Sequence, residues 1–107
     1  MSTTAGERRG DERIRADLPA TWEGVLESHD GTVVDLSTSG CFILTKDNVQ
    51  PKELVRLDVR LPTGNGLLLW GEVVYVVEDM GFALRFTGVG EGEREVIEAL
   101  MDTLRTD

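Results

Sequence analysis

Apolar and polar positions change rhythm several times along the chain, and each rhythm predicts an element. The clearest is Val55, Leu57, Val59 and Leu61 alternating with Arg56, Asp58 and Arg60. That period of two predicts a strand with one buried and one wet face. After a turn at Pro62-Thr63-Gly64-Asn65-Gly66, Leu67 to Val77 forms a long β-branched run, and Phe82, Leu84 and Phe86 alternate again. Upstream, Ala20 to Ser28, Thr32 to Leu36 and Cys41 to Leu44 predict three more strands. The Asp-Gly pair in His29-Asp30-Gly31 predicts the turn between the first two, and Ser37-Thr38-Ser39-Gly40 interrupts the next two. From Glu91 the period becomes helical, because Val96, Ile97, Leu100, Met101 and Leu104 fall on one stripe. Glu91, Glu93 and Glu95 stand in or near its first turn, where the helix dipole favours anions. The pattern therefore predicts an all-β fold with a C-terminal helix. Six short strands with turns at this spacing indicate a six-stranded antiparallel β-barrel, whose closure hides the strand edges. The helix covers its mouth or flank.

The 107 residues suffice for a single domain. Residues 1–6 are expected to be disordered and residues 7–16, polar and Gly-punctuated, to form an arginine-bearing arm. The barrel is expected over 17–87 and the helix over 91–104. Acids outnumber bases 20 to 11, for a net charge of −9. A whole-surface binder of DNA, RNA or anionic lipid is therefore not expected, since such binding rests on many Lys and Arg contacts. The positive charge is unevenly placed, with Arg8, Arg9, Arg13 and Arg15 inside eight consecutive positions. Those four guanidiniums at one end of an acidic domain are a candidate anion site. Cys41 is the only cysteine, so no intramolecular disulfide can form. No apolar run approaches membrane-spanning length and the N-terminus lacks the apolar stretch of a signal peptide. Cytoplasmic location without membrane insertion is the expectation.

Catalytic equipment is scarce. His29 is the only histidine, expected to be an exposed turn residue, so a His-based triad or His-rich metal site cannot be built within one chain. Cys41 opens an apolar strand, where a thiol packs as a small core residue and burial raises its pKa. The carboxylates are scattered over polar faces, and no phosphate-binding or dinucleotide fingerprint is present. No catalytic residue, metal or cofactor is assigned.

Two segments remain, Arg8-Arg9-Gly10-Asp11-Glu12-Arg13 and Asp35-Leu36-Ser37-Thr38-Ser39-Gly40. Taken singly, the first reads as a solvated arm and the second as an Asx or Ser/Thr turn ending a strand. In this order, ahead of this strand pattern, they resemble the PilZ domain, whose signature is RxxxR followed by (D/N)xSxxG. Arg9 and Arg13 fill the first motif, and Asp35, Ser37 and Gly40 the second. Asp17-Leu18-Pro19, Gly71-Glu72-Val73 and Gly81-Phe82-Ala83-Leu84-Arg85-Phe86 are similar to the family's flanking segments, so the resemblance spans residues 7 to 104. Ser39 stands where glycine is frequent and Arg15 where proline is.

The resemblance implies a six-stranded barrel with a C-terminal helix and a receptor for the bacterial second messenger cyclic di-GMP, which is sensed and not converted. Arg9, Arg13, Asp35, Ser37 and Gly40 are its implied ligand contacts, with Arg8 beside them. An arginine at the position of Arg8 goes, in the family, with an intercalated ligand dimer, which implies two ligands per chain. The residue types suit the ligand: arginine forks match phosphate or the O6/N7 edge of guanine, and Asp35 can accept from guanine N1 and N2. Ser37 offers a hydroxyl, and Gly40 permits close backbone approach or a positive φ. Ordering of the arm over the barrel would then be the signal read by a downstream protein, in motility or exopolysaccharide regulation among other outputs. The alternative is a PilZ-like interaction module that does not bind nucleotide, although such members typically have broken motifs. A small barrel for single-stranded nucleic acid would need a basic groove with exposed aromatics, and the net charge argues against it.

Overall fold

The computed structural model describes residues 12–25 and 27–106. Six strands, β1 (Ile14–Glu23), β2 (Ser28–Leu36), β3 (Gly40–Leu44), β4 (Leu54–Arg60), β5 (Gly66–Val77) and β6 (Gly81–Thr87), precede one helix, α1 (Glu91–Thr106). The strands close into an antiparallel barrel in the order β1-β2-β3-β6-β5-β4, with β4 returning to β1. Trp22, Val33, Leu36, Ile43, Val55, Leu57, Val73, Phe82 and Leu84 point inward and are almost wholly buried. Their alternation with exposed residues follows from the two-residue period of a strand. Helix α1 adds Ile97, Leu100 and Met101 to this core and packs against β1, while Val96, expected on the same stripe, is exposed. Its start is capped by Glu93, whose Oε1 accepts from the Gly90 N–H at 2.9 Å, the return half of a capping box. No helix among the described residues is long and apolar enough to cross a membrane.

Two boundaries differ from the sequence expectation. First, β1 begins at Ile14, inside the segment expected as arm, because Ile14, Ala16, Leu18, Ala20 and Trp22 alternate and pack into the core. Pro19 stands just before the β1–β4 pairing starts at Ala20. Second, His29-Asp30-Gly31 is not a turn but lies within β2, with His29 opposite Trp22 and Gly31 opposite Ala20. The chain reverses earlier, where the Gly24 N–H donates to the Glu27 carbonyl at 3.3 Å. Gly31 serves close packing instead, since a Cβ there would lie 2.8 Å from Ile43 Cγ2 and 3.0 Å from the Leu44 carbonyl. His29 is accordingly not a turn residue: its ring lies 4.4 Å from that of Trp22, and Nδ1 is 3.1 Å from Asp47 Oδ2.

Candidate functional site

Irregularities in the ladder build one face of the barrel. Between Val33 and Asp35 the β2–β3 register shifts, so Val34 is an extra residue. Val33 and Leu36 both face the core, and Asp35 is turned outward. The same device recurs in β5, where the register shifts between Val73 and Tyr75 and leaves Val74 unpaired. Alternation from buried Val73 would send Tyr75 inward; the bulge sends it out, and Tyr75 is 54% exposed. The result is a row of residues in direct register across five strands: Arg15, Asp35, Phe42, Ala83 and Tyr75. Small Ala83 sits between two rings, and the Phe42 and Tyr75 centroids are 6.2 Å apart.

Arg13, one residue before β1, joins this row. Its Nη1 lies 2.5 Å from Asp35 Oδ1, with the two side chains 45% and 36% exposed. The last residue of the first motif thus meets the first residue of the second. Glu12 is drawn the other way, to Arg105 of α1 at 3.2 Å, and Arg105 also holds Asp102 at 2.7 Å. Arg8 and Arg9 lie outside the described residues.

The Ser37–Gly40 loop is held from within. The Ser37 N–H donates to the Gly40 carbonyl at 2.9 Å. Its Oγ accepts from the N–H groups of Ser39 and Gly40, each at 3.1 Å, and donates to the Gly40 carbonyl at 3.2 Å. Ser37 is buried at 1% exposure, and these bonds hold its hydroxyl within the loop. A loop tie runs to β6, where the Phe86 N–H donates to the Ser39 carbonyl at 2.8 Å. Gly40 meets the close-approach half of its expectation and not the positive-φ half: a Cβ would lie 2.2 Å from the Leu84 carbonyl oxygen. Cys41, next in line, is fully buried, and its thiol is pushed far above the usual range by desolvation and then by the charge of Asp35, partly offset by Arg13. Among the described residues no three His, Cys, Asp or Glu side chains gather as a metal site.

Depressions of about 340 and 440 Å³ adjoin on this face, sharing Ser39 and Arg85, and a wider one of about 920 Å³ adjoins Arg13 and Asp35 on the β1 side. A family model described as PilZ domain matches residues 7–103. The chain belongs to the PilZ domain family. PilZ barrels among solved structures share its fold at low identity. The PilZ domain of YcgR from Escherichia coli, solved with c-di-GMP, superposes with a TM-score of 0.79 at 14% identity, over 89% of both chains. That of CeSA from a cellulose-synthesizing bacterium gives 0.70 at 18% identity, over 88% of this chain and 98% of the other. PlzA of Borreliella burgdorferi, in complex with c-di-GMP, gives 0.68 at 14% identity, and the 94% of this chain that matches spans 44% of that protein. No curated protein matches the chain in sequence.

The PilZ motifs therefore converge in space through Arg13 and Asp35. The Phe42–Ala83–Tyr75 row and the flanking Arg85 were not singled out by the sequence, because the bulge that turns Tyr75 outward arises from pairing with β6.

Proposed function

We propose that this domain is a receptor for cyclic di-GMP that binds the nucleotide on the face around Arg13, Asp35 and Tyr75. The observation that carries the reading is the Arg13–Asp35 pair. These two groups supply the donors and acceptors that guanine demands: a guanidinium fork for O6 and N7, a carboxylate for N1 and N2. Phe42 and Tyr75, flanking Ala83, offer an aromatic floor beside them on which a base can stack. Family membership and the c-di-GMP complexes of structural relatives support the assignment.

Arg9 and Arg8, four and five residues before Arg13 in sequence, would add charge for the ligand, with two ligands per chain as the expected stoichiometry. Gly40 shapes the floor, and Ser37 acts through the loop it holds. Closure of residues 7–13 over the ligand would change the exposed surface, which a downstream protein reads. Titration calorimetry with cyclic di-GMP, with cyclic di-AMP and GTP as controls, tests the reading. Selective, salt-sensitive binding with two ligands per chain is expected; a flat titration overturns the receptor assignment, and one ligand per chain overturns the dimer.

A further inference from the structure

Arg85 stands directly opposite Gly40 across the β3–β6 ladder. Gly40 brings the strands together at that point and presents no side chain to it. Arg85 is 65% exposed and lines both smaller depressions: one with Arg13 and Tyr75, the other with Ser39 and Arg94. Three arginines thus follow one another around the Ser39 position in a chain of net charge −9. Their engagements differ. Arg13 holds Asp35, and Arg85 holds Glu72 of β5 at 2.6 Å. Arg94 has no ion pair among the described residues, and its neighbour Glu93 is occupied with the Gly90 N–H.

We propose that Arg85 and Arg94, which line one depression together with Ser39, form a second anion subsite that takes a phosphodiester group of the nucleotide. The inference rests on the receptor reading and deepens it. Cyclic di-GMP carries two phosphodiesters on opposite sides of its ring, so a site with its guanine reader at Arg13 and Asp35 needs a cation farther along the face. Arg85 is the next one. Its guanidinium suits a phosphate by its two parallel donors. Glu72 competes for the same guanidinium, so it acts as a built-in opponent of binding: the ion pair must loosen before Arg85 can turn to the ligand. Arg94, without such an opponent, is available at once.

The test is calorimetric titration of the full chain with cyclic di-GMP at several salt concentrations, for wild type, Arg13→Ala, Arg85→Gln, Arg94→Gln and Glu72→Gln. Arg85→Gln and Arg94→Gln should each weaken binding about tenfold, the loss of one charge-assisted hydrogen bond, and make it less salt-sensitive. Glu72→Gln should tighten binding about twofold to fivefold, the size of an exposed ion pair released. If Glu72 were merely structural, its loss would weaken binding instead, and that outcome overturns the proposal. Wild-type affinity and salt dependence in both Arg85→Gln and Arg94→Gln, while Arg13→Ala weakens binding about a hundredfold, overturns the subsite and leaves the receptor reading standing. Absence of binding by wild type overturns both.

Discussion

Arg13 Nη1 and Asp35 Oδ1 lie 2.5 Å apart, so the two halves of the signature, 22 residues apart in sequence, are in direct contact. Each offsets the other's charge. A guanine entering here replaces one charge-assisted contact with several. Because both side chains are about half exposed, the pair itself contributes no more than about 1 kcal/mol to folding. Arg13→Ala should therefore leave the melting temperature almost unchanged while costing about 3 kcal/mol of binding, roughly a hundredfold, by loss of a bidentate fork. Thermal melting and calorimetry on the same sample separate the two effects; retained affinity would show that Arg13 is not a contact.

Asp35→Asn probes the other half. The amide keeps the shape but presents an NH2 group where guanine also presents donors, so one acceptor is lost and a donor–donor clash appears. Cyclic di-GMP should weaken while cyclic di-AMP does not, and the ratio of their affinities should fall by about 1 to 3 kcal/mol. An unchanged ratio would place guanine recognition elsewhere.

How much of this was legible in the sequence depended on which signals are local. The strict alternation in β4 and β6 and the stripe on α1 are local, and they gave the right elements. The start of β1 was hidden because its first inward residues, Ile14 and Ala16, sit among Arg13, Arg15 and Asp17. Asp30-Gly31 misled because glycine answers two needs: here the missing Cβ admits Ile43, whereas turn chemistry would have used it for φ. The motifs named Arg13 and Asp35, which do meet. That the Ser37 hydroxyl also accepts from its neighbours' N–H groups is a fact of loop geometry that spacing does not encode.

Ser37 should accordingly matter first for folding. Replacing it by alanine leaves the Ser39 and Gly40 N–H groups without their acceptor, at a cost of about 1 to 3 kcal/mol for a buried donor such as the Gly40 N–H. In a domain of this size each kcal/mol lowers the melting temperature by about 4 to 8 °C. Gly40→Ala should be at least as damaging, since its Cβ would sit 2.2 Å from backbone that cannot swing aside. Circular dichroism melts read both; a Ser37→Ala domain as stable as wild type would contradict the role assigned to the hydroxyl.

Cys41 gives a pH dependence whose sign is determined by burial. The folded thiol resists ionisation because its site is desolvated and lies near Asp35. In the unfolded chain it ionises near pH 8.5. Above that pH the folded state holds one proton more than the unfolded state, so stability should fall by up to about 1.4 kcal/mol per pH unit from this group. Below pH 8 the contribution is constant. Denaturant melts of wild type and Cys41→Ala between pH 7 and 10 should show the wild type losing more stability on the alkaline side; parallel slopes would mean that the thiol ionises in place.

Tyr75 carries the prediction furthest from the motifs. The bulge at Val74 spends one unpaired residue and a break in the β5–β6 ladder to turn this ring outward, beside Ala83 and across from Phe42. An irregularity of that kind next to a recognition surface serves to aim a side chain. If the ring is the floor on which a guanine stacks, Tyr75→Ala should cost about 1 to 3 kcal/mol of affinity, with little loss of stability because the side chain is 54% exposed. Tyr75→Phe should bind like wild type, since stacking needs the ring and not the hydroxyl. Ala83→Leu should weaken binding by the opposite route, filling the gap between the two rings. Calorimetry across these three variants distinguishes a stacking floor from an ordinary surface aromatic, for which Tyr75→Ala and Ala83→Leu would both bind as tightly as the wild type.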